Sequence, residues 1–78
     1  MDKKYTYKIK GYCNWNLEIP TVVSLLATTP GVPLHTIKTN SYNEIFFKFT
    51  GTKQELIMLI TILGKKSVKI KKMKKVWF

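Results

Sequence analysis

The sequence predicts an α+β domain in which four strands and two helices follow one another in the order β-α-β-β-α-β. Two segments, 4–12 and 44–50, alternate in the manner of half-buried strands. Two others place apolar residues at helical spacing, and one of these begins with a capping box at Thr52. This order predicts a four-stranded antiparallel sheet with two helices on one face, in a single domain that spans 1–78.

A strand and then a helix are predicted in the first third of the chain. In 4–12, Gly11 marks a bulge or the end of the strand. One face of this strand carries Tyr5, Tyr7 and Ile9, and the other carries Lys4, Thr6, Lys8 and Lys10. A helix is predicted over 17–27, with Pro20 in its first turn, where the missing N–H costs little. It ends before Pro30, because residues that precede proline disfavour the helical region.

A hairpin is predicted next. The segment 32–39 is expected to form an edge strand, since Pro33 cannot donate to a neighbour. It connects through a turn at 40–43 to the strand 44–50, in which Ile45, Phe47 and Phe49 share one face and Glu44, Phe46 and Lys48 share the other.

The last helix and strand have clear boundaries in the sequence. Thr52 and Glu55 form the capping box, and the helix is expected to run to Leu63 with Gly64 as its C-terminal cap. The final strand is predicted over 67–73, with 74–78 as its extension. The expected core residues are Tyr7, Ile9, Ile45, Phe47, Phe49, Val68 and Ile70 from the sheet, and Val22, Leu26, Leu56, Leu59, Ile60 and Leu63 from the helices.

Charge is the strongest functional signal in the sequence. The chain carries 14 lysines, no arginine and four acidic residues, and its net charge is +10. Such a surface repels itself unless an anion is near, and nucleic acid is the commonest such partner. A membrane surface, an acidic protein or simple solubility are the alternatives. Without arginine, lysines are expected to contact phosphates rather than to read base edges.

The predicted topology states where these lysines lie. The first and third strands are central, the fourth flanks the first, and the second flanks the third. The open face then carries Lys8, Lys10, Phe46, Lys48, Lys69, Lys71 and Met73, with His35 and Ile37 on the second strand. Phe46 is the aromatic on which a base is expected to stack, unless a terminal segment or a partner covers it.

This order resembles the ferredoxin-like, or split βαβ, pattern, and at the level of topology the resemblance covers the whole chain. The open face is similar to that of the RNA-recognition-motif family, which implies binding of nucleic acid by the sheet. That family carries a Lys/Arg-Gly-aromatic run on its third strand, whereas 43–49 here has no glycine. Phe47 and Phe49 share a face with Ile45, so Phe46 alone is left to stack. The order also resembles ACT-type regulatory domains, which implies dimers built through helices and sheet edges.

The leading hypothesis is a small nucleic-acid-binding or nucleic-acid-associated regulatory protein. Its lysine-rich sheet face and C-terminal strand are expected to contact the phosphate backbone of DNA or RNA with low sequence specificity. Half of the lysines lie between residues 65 and 75. The expected contacts are Lys8, Lys10, Phe46, Lys48, Lys65, Lys66, Lys69, Lys71, Lys72, Lys74 and Lys75. Binding is expected to weaken steeply with salt.

The second helix supports an alternative hypothesis. Met58 and Ile62 lie four residues apart on a different side from the core-facing leucines. Exposed apolar pairs on a helix suggest a protein interface, such as that of a homodimer, although a wide core-facing stripe is the other explanation. The alternative function is an interaction module or inhibitor, of the kind that phages and mobile elements encode, which binds a protein that handles nucleic acid.

Catalysis has little support in the sequence. The acidic residues form no pairs, and Cys13 and His35 are a nucleophile and a base that would have to meet in the fold. Metal-ligand spacing and glycine-rich phosphate loops do not occur. We therefore expect no enzyme activity, cofactor, metal site or small-molecule substrate.

The expected location is the cytoplasm. A single cysteine favours a reducing compartment, the first ten residues lack a signal-peptide pattern, and the apolar run 56–60 is too short to cross a bilayer. The terminal Val76-Trp77-Phe78 is expected to fold back on its own domain, or else to anchor in a partner groove or at a membrane surface.

Overall fold

The computed structural model describes residues 3–76, which contain four strands and two α-helices. The elements are β1 (Tyr5–Cys13), α1 (Ile19–Ala27), β2 (Lys38–Thr39), β3 (Glu44–Gly51), α2 (Lys53–Lys65) and β4 (Val68–Val76). The strands form one antiparallel sheet in the order β2-β3-β1-β4. The predicted α+β class and the central position of the first and third strands are confirmed.

The core lies between the helices and one face of the sheet. Alternate residues of β1 and β3 are buried, and the residues between them are exposed or half-buried. The core cluster consists of Tyr7, Ile9, Cys13, Val22, Leu26, Val32, Ile45, Phe47, Phe49, Leu56, Leu59, Leu63 and Val68. Ile60 and Ile70, also predicted for the core, are half-buried at its edge. Because both helices contribute to one cluster, the opposite face of the sheet remains open.

Both helices differ from prediction at one end. A 3-10 turn, Asn16–Glu18, precedes α1, so Leu17 lies outside the helix and is 68% exposed. Pro20 lies in the first turn of α1, as predicted. The capping box of α2 is confirmed, but the helix continues past Gly64 to Lys65. The left-handed residue is Ser67, with φ of 65°, whose N–H donates to the Gly64 carbonyl.

The strand predicted over 32–39 is wrong for most of its length. Only Lys38–Thr39 pairs with β3, and Leu34–Thr36 forms a 3-10 turn. The Thr36 N–H and hydroxyl both donate to the Pro33 carbonyl, at 3.0 and 2.7 Å, which stabilises a turn in place of a ladder. Ile37 consequently packs against the core rather than on the open face.

The pairing of β1 with β4 contains a bulge, which confirms the prediction made for Gly11. Lys10 lies opposite Lys72 but Gly11 lies opposite Ile70, so Lys71 is the extra residue. A Cβ at Gly11 would lie 2.9 Å from Val68 Cγ1, so the close approach of the strands requires glycine.

The bulge reverses which residues of β4 after Lys71 reach the open face, whereas Lys69, opposite Tyr12, keeps its predicted side. Met73 lies opposite the buried Ile9, on the helix-covered side, and its predicted place on the open face is wrong. Lys72 and Lys74 occupy that face instead. No helix between residues 3 and 76 is long and apolar enough to cross a membrane. The predictions for Trp77 and Phe78 lie outside the described residues.

Candidate functional site

Two rows of side chains cross the open face of the sheet, perpendicular to the strands. Lys48, Lys8 and Lys74 lie opposite one another in the first row. The second row contains Lys38, Phe46, Lys10 and Lys72. Neighbours within a row have Cβ atoms about 5 Å apart, and rows two residues apart along a strand are separated by about 7 Å. We call these six lysines, together with Phe46, the lysine face.

The lysine face is concave. A cavity of 710 Å³ lies over it, and His35 and Thr36, from the 3-10 turn that replaces most of the predicted second strand, line one side. The Thr36 hydroxyl accepts a hydrogen bond from the Lys48 backbone N–H at 3.2 Å, which fixes this turn against β3. A turn in place of an edge strand therefore gives the sheet a groove with a polar wall.

Lys10 has two protein partners. Its Nζ lies 3.0 Å from Glu44 Oε2, and this is the one ion pair found among residues 3–76. The same Nζ lies 5.7 Å from the centre of the Phe46 ring, within the range of a cation–π contact. Lys10 and Phe46 are half-buried, whereas the other five lysines of the face are exposed.

The turn between β2 and β3 holds Glu44 in place. Asn40 Nδ2 donates to Glu44 Oε1 at 2.8 Å, and Asn40 Oδ1 accepts the backbone N–H groups of Tyr42 and Glu44 at 2.9 and 3.2 Å. The hydrogen bonds from the Asn40 side chain and then from Lys10 hold the pKa of Glu44 below its usual range. The carboxylate is therefore ionised and oriented at one end of the lysine face.

The structure brings together six of the residues predicted to contact nucleic acid. Those that line the cavity are Lys8, Lys10, Phe46, Lys48, Lys72 and Lys74. Lys65 and Lys66 lie instead at the C-terminal end of α2. Lys69 lies opposite Tyr12, beyond the second row, and Lys71 Nζ lies 5.5 Å from the Tyr12 ring.

Lys75 lies on the other side of the sheet. It is opposite Tyr7, which is buried under the helices, and its Nζ is 3.9 Å from the centre of the Tyr5 ring. The dense lysine run of the C-terminal strand therefore divides between the two faces. The bulge at Lys71 decides which lysines join the groove.

The prediction from the sequence omitted two features of the site, although the sequence contains a signal for each. Lys38 was not among the predicted contacts, although hairpin pairing places it opposite Phe46. The doublet Lys71-Lys72 interrupts the alternation between the apolar residues Ile70 and Met73. Such an interruption is the pattern that a bulge produces, since one extra residue reverses the parity of all that follow.

The α2 surface that was predicted as a protein interface carries exposed apolar side chains. Ile57, Met58 and Ile62 are 53%, 63% and 41% exposed on α2. We call these three residues the apolar patch of α2. Cys13, in contrast, is fully buried, and its Sγ donates to the Trp15 carbonyl at 3.1 Å. The thiol thus belongs to the core, whereas His35 belongs to the exposed edge of the groove.

Comparison with known proteins leaves the site to be interpreted from its own residues. A scan of the chain against protein-family models matches none of them, and a search of curated proteins finds no similar sequence.

Proposed function

We propose that this chain is a non-enzymatic nucleic-acid-binding protein, whose lysine face contacts the phosphate backbone of DNA or RNA with low sequence specificity. The observation that carries the proposal is the pair of lysine rows in a groove. Six lysines line the groove, and one carboxylate, that of Glu44, pairs with one of them. Such a field attracts a polyanion and releases its counterions on binding.

Lysine chemistry supports contact with the backbone rather than with base edges. An ammonium is a compact point charge on a flexible stem, so it follows a phosphate without demanding one geometry. Phosphate contacts position a protein on nucleic acid and carry no sequence information directly. Phe46 is the aromatic side chain of the lysine face, and a base can stack on it whatever its identity.

The finer expectations on fold and location belong to the same proposal. The strand order and the shared core of the two helices support a ferredoxin-like βαββαβ arrangement, in which the open sheet is the binding surface. The buried, unpaired Cys13 supports a reducing compartment, for which we propose the cytoplasm.

Direct binding tests the proposal. Fluorescence anisotropy with labelled 20-nucleotide DNA and RNA of several sequences, at low ionic strength, is expected to give saturable binding with affinities that differ little among sequences. Replacing Lys8 and Lys48 by glutamine is expected to weaken binding to all of them together. The matched control replaces Lys65 and Lys66 by glutamine. These two lysines lie away from the groove, at the end of α2, and their replacement removes the same charge. Equal losses in both double variants would contradict a localised site.

A second candidate function rests on the apolar patch of α2. Exposed apolar side chains grouped on one helix face suggest a protein interface. This supports an interaction module or inhibitor that binds a partner protein, or a homodimer. Met58→Asp combined with Ile62→Asp is expected to disrupt that assembly and to leave oligonucleotide binding unchanged. Light scattering of the purified chain and of the variant distinguishes dimer from monomer.

A further inference from the structure

We propose that Glu44 lowers the affinity of the lysine face for nucleic acid, because its carboxylate pairs with the Lys10 ammonium at the position that a phosphate would take. The inference rests on the proposed function and concerns the regulation of affinity at that same site. It assigns to Glu44 the role of an internal competitor, and it separates Lys10 from the other five lysines of the face.

Glu44 is positioned and oriented to compete with a phosphate for Lys10. Glu44 and Lys10 are diagonal neighbours across the β1–β3 pair, and their charged atoms are 3.0 Å apart. The second carboxylate oxygen accepts a hydrogen bond from the Asn40 side chain at 2.8 Å. Asn40 is itself held by two backbone N–H groups of the turn. The carboxylate is thus oriented before any ligand arrives.

Lys10 occupies a central position in the second row. It lies between Phe46 and Lys72, and its Nζ is close to both Glu44 and the Phe46 ring. Lys72 and Lys8 have no carboxylate within ion-pair distance in the described part of the chain. Nucleic acid in the groove therefore meets five lysines without an acidic partner and one, Lys10, whose charge is already offset.

A phosphate and Glu44 would compete for the same ammonium. The Lys10 and Glu44 side chains are 37% and 25% exposed, so water reaches the pair and keeps it weak. A phosphate can therefore take over Lys10, but the gain is reduced by the loss of the Glu44 contact. The remaining carboxylate also repels the phosphate that replaces it. Removing the Glu44 charge while keeping its shape is expected to turn Lys10 into a full phosphate contact.

The test compares two isosteric variants. Glu44→Gln keeps an oxygen that can accept the Asn40 amide. Glu55→Gln raises the net charge equally at the start of α2, and glutamine is tolerated in a capping box. With single-stranded oligo(dT), Glu44→Gln is expected to tighten binding about three- to tenfold at low salt and to steepen the logarithmic salt dependence by about 0.7, the contribution of one phosphate. Glu55→Gln is expected to change affinity less than about twofold, since its charge is distant and screened.

A double-mutant cycle supplies the second measurement. Lys10→Gln is expected to weaken binding little in the native chain and about three- to tenfold more in the Glu44→Gln background. Equal effects of Glu44→Gln and Glu55→Gln, or an equal loss from Lys10→Gln in both backgrounds, would overturn the inference and leave the proposed function standing. Failure of the native chain to bind oligo(dT) would overturn the proposed function itself, and the role of Glu44 with it.

Discussion

Lys8 of β1 lies directly opposite Lys74 of β4, so two like charges share one cross-strand position on the open face of the sheet. Lys48 lies opposite Lys8 on its other side. Directly opposed like charges destabilise a sheet, and an anion that contacts both relieves the repulsion. Binding of a polyanion and folding of this chain are therefore expected to be coupled.

The first prediction concerns that coupling. Inorganic polyphosphate is expected to raise the melting temperature, because the folded sheet gathers lysines that the unfolded chain disperses. The upper limit is about 2.7 kcal/mol of unfolding free energy at 100 times the dissociation constant, since the unfolded chain, with the same charge, also binds polyphosphate. Lys8→Gln with Lys74→Gln is expected to raise stability without ligand by about 0.2–1 kcal/mol and to reduce the response to polyphosphate. Thermal denaturation followed by circular dichroism measures both. A double variant that is less stable and equally responsive would argue against repulsion in this row.

The second prediction uses the bulge to separate neighbouring lysines of β4. Lys72→Glu with Lys74→Glu places two acidic residues in the groove and is expected to weaken oligonucleotide binding strongly, by tenfold or more at low salt. Lys69→Glu with Lys71→Glu makes the same change of net charge just outside the cavity. Its effect is expected to be several times smaller, as anisotropy titrations can show. The reverse order would mean that the ligand lies over Tyr12 rather than over the groove.

The third prediction concerns Phe46. Phe46→Leu keeps an apolar side chain and removes the ring, and the loss of one stacked base is expected to cost about 1–3 kcal/mol of binding to single-stranded oligonucleotides. Affinity for polyphosphate, which has no bases, is expected to remain within about twofold. Isothermal titration with both ligands makes the comparison. An equal loss for both would show that the ring acts by positioning Lys10, near which it lies.

The fourth prediction concerns the close approach of β1 and β4. Gly11→Ala places a methyl group 2.9 Å from Val68 Cγ1, and such overpacking is expected to destabilise the fold by about 1–3 kcal/mol. Adding Val68→Ala removes the clash, although it also removes a buried side chain. The two losses are therefore expected to be less than additive in urea denaturation. Strict additivity would show that the contact is relieved by a shift of the strands instead.

The fifth prediction is a loss of stability in acid. A hydrogen bond from the Thr52 backbone N–H is the main cause of the lowered pKa of Glu55. A hydrogen bond from the Asn40 side-chain amide is the main cause of the lowered pKa of Glu44. The folded state thus binds fewer protons than the unfolded state at these sites. The stabilisation is complete above the ordinary glutamate pKa, about 4.3, and is lost as pH falls through the lower folded values. Denaturation between pH 6 and 2 is expected to show a smaller decline in the Glu44→Gln, Glu55→Gln double variant. An unchanged slope would assign the acid sensitivity to other groups.

Much of the fold could be predicted from the sequence, because the local patterns agree with the topology of the sheet. Thr52 and Glu55 mark the start of α2, and the alternation around Ile45 and Phe47 predicts the face of β3 that is buried. The short length of the second strand could not be predicted. Its residues alternate, but hydrogen bonds to the Pro33 carbonyl stabilise a turn that alternation cannot reveal.

The candidate site was predicted in part. Lys8, Lys10, Phe46 and Lys48 follow from the parity of two central strands, which pair without interruption. The contribution of β4 depends on the register, and a bulge of one residue exchanges the faces of the residues that follow Lys71. The ion pair of Lys10 with Glu44 depends on the turn that orients Asn40, a local geometry that strand parity alone does not predict.

The most direct test of the central claim is the salt dependence of oligonucleotide binding by the native chain, compared with a variant in which Lys8, Lys48, Lys72 and Lys74 are glutamine. For single strands, each phosphate neutralised contributes about −0.7 to the slope of log K against log salt concentration. We predict a slope of several units for the native chain and a slope shallower by about 3 for the variant. A flat slope, or an equal slope in both proteins, would contradict binding of phosphates by the lysine face.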